Sequence, residues 1–264
     1  MNPILLSFGP IQIHWYSFFI ALGLLIGGYM VLKESKKHGI LEDNMIDFFF
    51  VLLPISFVGA RLYFVVFHLD YYLTYPIDII KVWEGGLAIH GGIIAGGLYL
   101  LYFTRKNNYS PLFFCDTIVI SLILGQAIGR WGNFMNGEAY GPVTTLSFLK
   151  SLHLPQFIID GMKINGVYHQ PTFLYESLWC LLGFIIMLCL KNLKSLKLGT
   201  LTSFYLIWYG IERLFVEQLR TDSLMLGPFK IAQIVSFVFI LIGLSLIIYI
   251  RKNPKQYREE MYEK

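Results

Sequence analysis

Three residues in this sequence have surroundings that suit chemistry. Arg130 opens the densest run, Gly129-Arg130-Trp131-Gly132-Asn133-Phe134-Met135-Asn136-Gly137-Glu138-Ala139-Tyr140-Gly141. Arg130, Asn133, Asn136 and Glu138 supply a cation, two amides and a carboxylate, where a helix cap would need only one of these. The glycines are expected to break the helix here and let the backbone turn. Arg213 belongs to a second pattern: Tyr209, Arg213, Glu217 and Arg220 follow one helical stripe. Arg213 and Glu217 can pair, which lowers the cost of burying both. A guanidinium is always charged and grips phosphate in a fork geometry. The alternative is an ion pair that only fixes helix packing, with Arg220 anchored at an interface. His90 lies in Gly85-Gly86-Leu87-Ala88-Ile89-His90-Gly91-Gly92 and suits a base or hydrogen-bond donor, or a satisfied structural histidine.

The rest of the chain says what must position these groups. Of 264 residues, 56% are apolar and 14% charged, and the mean hydropathy is +0.59. That composition excludes a disordered chain, a nucleic-acid-binding domain and an ordinary water-soluble enzyme, whose surface needs more polar cover. Cys115, Cys180 and Cys189 sit in apolar runs and read as buried hydrophobes. There is no His-Glu-x-x-His, no Gly-x-Ser-x-Gly and no Cys/His cluster. The expected chemistry therefore needs no metal and no cofactor.

A bilayer core of about 30 Å needs roughly 20 apolar residues per helix. Seven runs qualify, near 13–32, 46–67, 87–103, 112–130, 172–190, 199–217 and 231–250. The predicted fold is an all-α polytopic membrane protein with seven transmembrane helices. It forms a single integral membrane domain over 1–264. Within it, 131–171 is a small extracytoplasmic head, where Asn165-Gly166 predicts a hairpin turn. Lys33, Lys36, Lys37, Arg105, Lys106, Lys191, Lys194 and Lys197 join the basic C-terminal tail on one side. By the positive-inside rule the N-terminus is outside and the C-terminus cytoplasmic. Small-xxx-small pairs at Gly23–Gly27, Gly92–Gly96 and Gly125–Gly129 predict close helix packing.

Ionisable groups inside spans are costly and mark function by default. With this orientation His14, Tyr16, Arg61, His90, Arg130, Glu176, Glu212, Arg213 and Glu217 fall in the outer half. Asp47 and Asp116 lie near inner ends, where water is expected. A transporter would need polar groups at the midplane, and a pore along its full depth. The pattern suits a cavity open to the outer leaflet. A binding or scaffold protein with an anchoring ion network is the other alternative.

The run Gly129-Arg130-x-Gly132-Asn133-Phe134-x-Asn136-x-Glu138-x-x-Gly141 resembles the signature of the prolipoprotein diacylglyceryl transferase family. The resemblance extends to His14-Trp15-Tyr16, Gly59-x-Arg61, Gly86-x-x-x-His90-Gly91-Gly92, Pro171-x-x-x-Tyr175-Glu176 and Tyr209-Gly210-x-x-Arg213-x-x-x-Glu217-x-x-Arg220. Only 143–169 departs, being short. The resemblance implies a multi-pass enzyme of the bacterial cell membrane. Its partners would be phosphatidylglycerol and the signal peptide of a preprolipoprotein with its lipobox cysteine, with no nucleic acid. The diacylglyceryl unit would move to the cysteine thiol as a thioether, releasing glycerol 1-phosphate. Arg130, Arg213 and His90 would be catalytic. Tyr16, Arg61, Asn133, Asn136, Glu138, Gly141, Tyr209, Glu217 and Arg220 would bind or orient substrate.

Overall fold

The structure, a computed structural model, describes residues 3–9, 11–219, 225–226, 229–255 and 257. Arg220 lies outside the described residues, as does most of the basic tail beyond Lys255. Among the described residues the long helices are α1 (Trp15–Lys37), α2 (Glu42–Phe67), α4 (Ile89–Lys106), α5 (Pro111–Asn136), α8 (Thr172–Lys191), α9 (Thr200–Leu219) and α10 (Ile231–Lys252). They coincide with the seven apolar runs. Five of them, α1, α2, α5, α8 and α10, are long and apolar enough to cross a membrane. Their outer faces stay apolar and exposed, as at Leu25 and Phe50, which suits lipid rather than water. Short helices α3 (Leu69–Thr74), α6 (Leu146–Ser151) and α7 (Gln156–Gly161) fill connections. The strands pair as hairpins: β1 (Ile4–Phe8) with β2 (Ile11–His14), β3 (Lys163–Ile164) with β4 (Val167–Tyr168), and β5 (Met225–Leu226) with β6 (Phe229–Lys230).

The described residues divide into two compact units, one within 1–31 and 115–259, the other within 32–114. In the second unit α2 and α4 pack at backbone distance. A Cβ on Gly59 would stand 2.7 Å from the Gly91 carbonyl oxygen, and one on Gly96 would stand 2.7 Å from the Ser56 hydroxyl. Only glycine lets the two backbones approach this closely. Phe48 closes the other end of this unit, with its ring 5.0 Å from Phe103 and 5.5 Å from Phe114. Pro54 sits inside α2 without ending it.

In the first unit the helices meet through small residues and a few polar bonds. Gly23 of α1 faces Gly125 of α5, and Gly27 faces Ser121. Gly210 of α9 and Gly243 of α10 each face backbone of the other helix. Ser177 of α8 donates to the Ala127 carbonyl of α5 at 3.0 Å, and Gln126 donates to the Tyr205 hydroxyl of α9 at 2.8 Å. The Trp179 and Trp208 rings of α8 and α9 stack at 4.4 Å, and each indole N–H donates to the other's carbonyl. Asp116 is not wetted as its sequence position suggests. It is fully buried and accepts from the Gly199 and Thr202 amides at 2.6 and 2.7 Å and from the Thr202 hydroxyl at 2.6 Å. It caps the first turn of α9 from another helix, satisfying amides that α9 cannot pair itself.

The segment after α5 has its own small core of Phe134, Leu149, Ile158, Ile159, Met162 and Phe173. Asn165 and Gly166 both take positive φ, 51° and 84°, between β3 and β4, as the Asn-Gly pair predicts for this turn. The N-terminal hairpin was not anticipated, although Gly9-Pro10 between alternating apolar residues is its signal.

Candidate functional site

Three helices bring their costly residues to one place. Arg130 is near the end of α5, Glu176 lies one turn into α8, and Arg213 and Glu217 are in the last turns of α9. Glu176 is 1% exposed and serves both guanidiniums. Its Oε2 pairs with Arg130 Nε, and its Oε1 lies 3.8 Å from an Arg213 terminal nitrogen. Arg213 also donates to Glu217 Oε2 at 2.5 Å, the i,i+4 pair that the stripe suggested. Glu217 in turn holds Lys230, which donates to its backbone carbonyl. Two cations and two carboxylates thus neutralise one another in the interior, where an unpaired charge would be expensive. Arg130 engages protein through Nε. Among the described residues its two terminal nitrogens take no protein hydrogen bond.

The end of α5 differs from expectation. The helix runs unbroken through Gly129 and Gly132 to Asn136. Gly132 is there for space: a Cβ would stand 3.2 Å from the Tyr16 Cα and closer still to its ring. The break comes at Gly137, whose φ is +64°, with bonds from Gly137 N to Phe134 O and from Glu138 N to Asn133 O. This is a Schellman cap. It turns the chain so that Glu138 folds back and accepts from Asn133 at 3.3 Å and from Asn136 at 3.2 Å. Gly141 then meets the start of α8. Its amide donates to Gln170 O at 3.0 Å, His169 Nδ1 donates to its carbonyl at 2.9 Å, and Thr172 donates to Ala139 O at 2.7 Å. These bonds tie the Arg130 helix end to the helix carrying Glu176.

Tyr209 stacks on Tyr205 at 5.9 Å along α9, one turn before Arg213. Arg61 and His90 belong to the other unit. Arg61 is 6% exposed and donates to the carbonyls of Ile79, Gly85, Gly86 and Asp78 at 2.8, 2.7, 2.9 and 2.5 Å, with its guanidinium 5.3 Å from the Tyr72 ring centre. It clamps the connection between α2 and α4. Within that connection Lys81 and the Tyr71 hydroxyl hold the Asp78 carboxyl below its usual range. His90 sits in the first turn of α4 beside the Tyr63 ring, half-buried.

Sequence reasoning named the two arginines and placed Glu176 level with Arg130, but gave the carboxylate that joins them no role. Glu176 had a signal: it is a carboxylate at the start of a span, level with Arg130. Glu212 went unassigned too, although it is 3% exposed and 3.6 Å from the Cys180 thiol. Among the described residues no cluster of three His, Cys, Asp or Glu is arranged to hold a metal.

Apolar helices around a buried arginine–carboxylate cluster define a multi-pass helical membrane protein. The family model for prolipoprotein diacylglyceryl transferase matches residues 3–249, and the chain belongs to that family. It is 46% identical over 262 residues to the phosphatidylglycerol–prolipoprotein diacylglyceryl transferase of Staphylococcus carnosus (strain TM300), covering 98% of this chain and 94% of that protein. The enzyme of the same name from Staphylococcus saprophyticus subsp. saprophyticus is 47% identical over 249 residues, 94% of this chain and 89% of that protein. The one from Staphylococcus aureus (strain MSSA476) is 46% identical over 260 residues, with coverage of 97% and 92%.

Proposed function

We propose that this chain moves the diacylglyceryl group of phosphatidylglycerol onto the lipobox cysteine of prolipoproteins. The products are a thioether and glycerol 1-phosphate. Its family and its named relatives support this reading. The single observation in the fold that carries it is the convergence of Arg130 and Arg213 on Glu176.

In the reaction the cysteine sulfur attacks the glyceryl carbon that bears the phosphate. A carbon–sulfur bond forms, the carbon–oxygen bond breaks, and the electron pair leaves with glycerol 1-phosphate. Negative charge grows on that leaving group. Arg130 and Arg213 are the groups that stabilise it, with the terminal nitrogens of Arg130 turned to the phosphate. Such fixed donors contribute about 3–4 kcal/mol each at comparable sites. Glu176 and Glu217 keep the two guanidiniums oriented. A thiol with a pKa of about 8.5 must lose its proton, and His90 is the residue we assign to take it. Asn133, Asn136 and Glu138 orient the headgroup with Tyr16, Tyr209 and Arg220. Arg61 and Gly141 act by positioning, the first through the loop it clamps and the second through its tight approach to α8.

In this reading all seven long helices cross the bilayer within one integral membrane domain. Residues 131–171 form the extracytoplasmic head, the N-terminus is outside and the C-terminus is cytoplasmic. The charged stretch of α9 and the glycine-rich start of α4 leave those two less apolar than the other five.

The test is turnover of phosphatidylglycerol and a lipobox peptide in detergent by Arg130→Ala. Release of glycerol 1-phosphate should fall about 100- to 1,000-fold, with a lowered unfolding temperature because the buried Glu176 loses one of its two counter-ions. Undiminished release by this variant would overturn the assignment. Headgroup binding without turnover by the wild-type protein would favour a scaffold.

A further inference from the structure

A buried acceptor beside the arginine cluster goes unused. Gln126 lies on α5 four residues before Arg130, on the same face of the helix. Its Nε2 donates to the Tyr205 hydroxyl of α9 at 2.8 Å, which fixes the plane of the amide. Its Oε1 is buried and, among the described residues, takes no hydrogen bond. Buried polar atoms are nearly always paired, so an oxygen left over at this place asks for a donor from outside the chain.

That oxygen adjoins the site. Tyr205, which holds the amide, stacks on Tyr209 one turn before Arg213, and Cys180 and Glu212 are its neighbours. A Cβ on Gly125 or on Gly129 would meet no atom within 4 Å, so open space runs along α5 beside both Gln126 and Arg130. Glu212 is short of donors as well: its hydrogen-bond partner is the Cys180 thiol, 3.6 Å from both carboxylate oxygens and a weak donor. The polarity of the site is therefore graded along the helices. Guanidinium donors stand toward the C-terminal end of α5, and acceptors lacking strong donors stand on the other side of them. A ligand matched to both carries an anion at one end and hydroxyl groups at the other. A hydroxyl both donates and accepts, so it satisfies the free end of the amide in either orientation.

We propose that Gln126 recognises the headgroup glycerol of the lipid substrate, accepting a hydrogen bond from a headgroup hydroxyl while Arg130 holds the phosphate. This rests on the diacylglyceryl-transfer reading and deepens it. The arginines select an anionic phosphodiester, and Gln126 selects among such lipids the one whose headgroup bears a hydroxyl. One turn of helix, about 6 Å, separates Gln126 from Arg130, within reach of a glyceryl unit. Gln126 touches the part of the substrate that leaves, away from the carbon and sulfur that react, so it sets specificity. Tyr205 acts through it as a positioning residue.

The experiment compares phosphatidylglycerol with phosphatidylmethanol, which has the same phosphodiester charge and no headgroup hydroxyl. The full chain is assayed with a lipobox peptide in phosphatidylcholine nanodiscs containing one lipid or the other. Wild type should show a kcat/KM about tenfold higher for phosphatidylglycerol. Gln126→Met, of similar length but without the amide, should bring that ratio close to one. Tyr205→Phe, a milder change that unfastens the amide, should lower the ratio too and supplies the reading if Gln126→Met is unstable. Equal kcat/KM for the two lipids in the wild type would overturn the subsite without recourse to a variant. So would a wild-type ratio in the variants, the result expected if the oxygen holds only water or if Gln126 serves packing alone. Turnover of neither lipid by the wild type would overturn the transferase reading itself.

Discussion

Glu176 places the charge of two helices on one carboxylate, and its loss should be felt twice. Glu176→Ala leaves Arg130 and Arg213 facing each other in the interior without their shared counter-ion. Breaking a buried pair in this way costs about 3–5 kcal/mol, so both the unfolding temperature and glycerol 1-phosphate release should drop sharply. A variant as stable and active as wild type would remove Glu176 from the site. Gly141 makes a different demand. A Cβ there would stand 2.9 Å from Thr172 Cγ2 and 3.0 Å from Gln170 Cβ. Gly141→Ala should therefore cost about 1–3 kcal/mol, read as a lowered unfolding temperature. The candidate residue types were legible in the sequence because a charge in an apolar run has so few reasons to be there. Their partners were not. Pairing depends on which faces of α5, α8 and α9 meet, and Arg61 shows how the same residue type can be consumed by backbone carbonyls.

The helices themselves were readable from apolar run length alone, with ends a few residues adrift. What failed was the reading of glycine. Gly129 and Gly132 looked like helix breakers, yet α5 continues because Gly132 is needed for the close passage of Tyr16, and the turn waits for Gly137. Gly210 carries the same logic into α9 and α10. A Cβ there would stand 2.8 Å from the Ser236 carbonyl oxygen and 2.6 Å from Ile240 Cγ1. Gly210→Leu should push α9 away from α10 and displace Arg213 one turn along. Turnover should fall with only a small change in helix content by circular dichroism; unchanged turnover would show that the site does not depend on this packing. Asp116→Ala removes the three donors' acceptor at the start of α9. Charged hydrogen bonds contribute about 1.5–3 kcal/mol each, so a loss of at least that size is expected in chemical unfolding.

For the chain taken entire, the distribution of Lys and Arg makes the orientation testable. With Cys189 changed to Ser, Lys163→Cys should react with an impermeant maleimide in intact cells, and Lys194→Cys only after permeabilisation. The reverse pattern would invert the topology and move the arginine site to the cytoplasmic side. The sequence disclosed the asymmetry of charge, because insertion reads it directly. It did not disclose the two compact units.

The shared carboxylate also has a consequence for biosynthesis. Translation produces Arg130 well before Glu176, and Arg213 later still, so the first guanidinium enters the bilayer region with no counter-ion of its own. A nascent chain halted before α8 would be an uncompensated intermediate, held by the insertion machinery or by water at the boundary until the acidic partner emerges. Quality control that senses exposed polar groups within lipid would recognise that intermediate, and a ribosome-released fragment ending before residue 172 should be short-lived in a pulse-chase experiment.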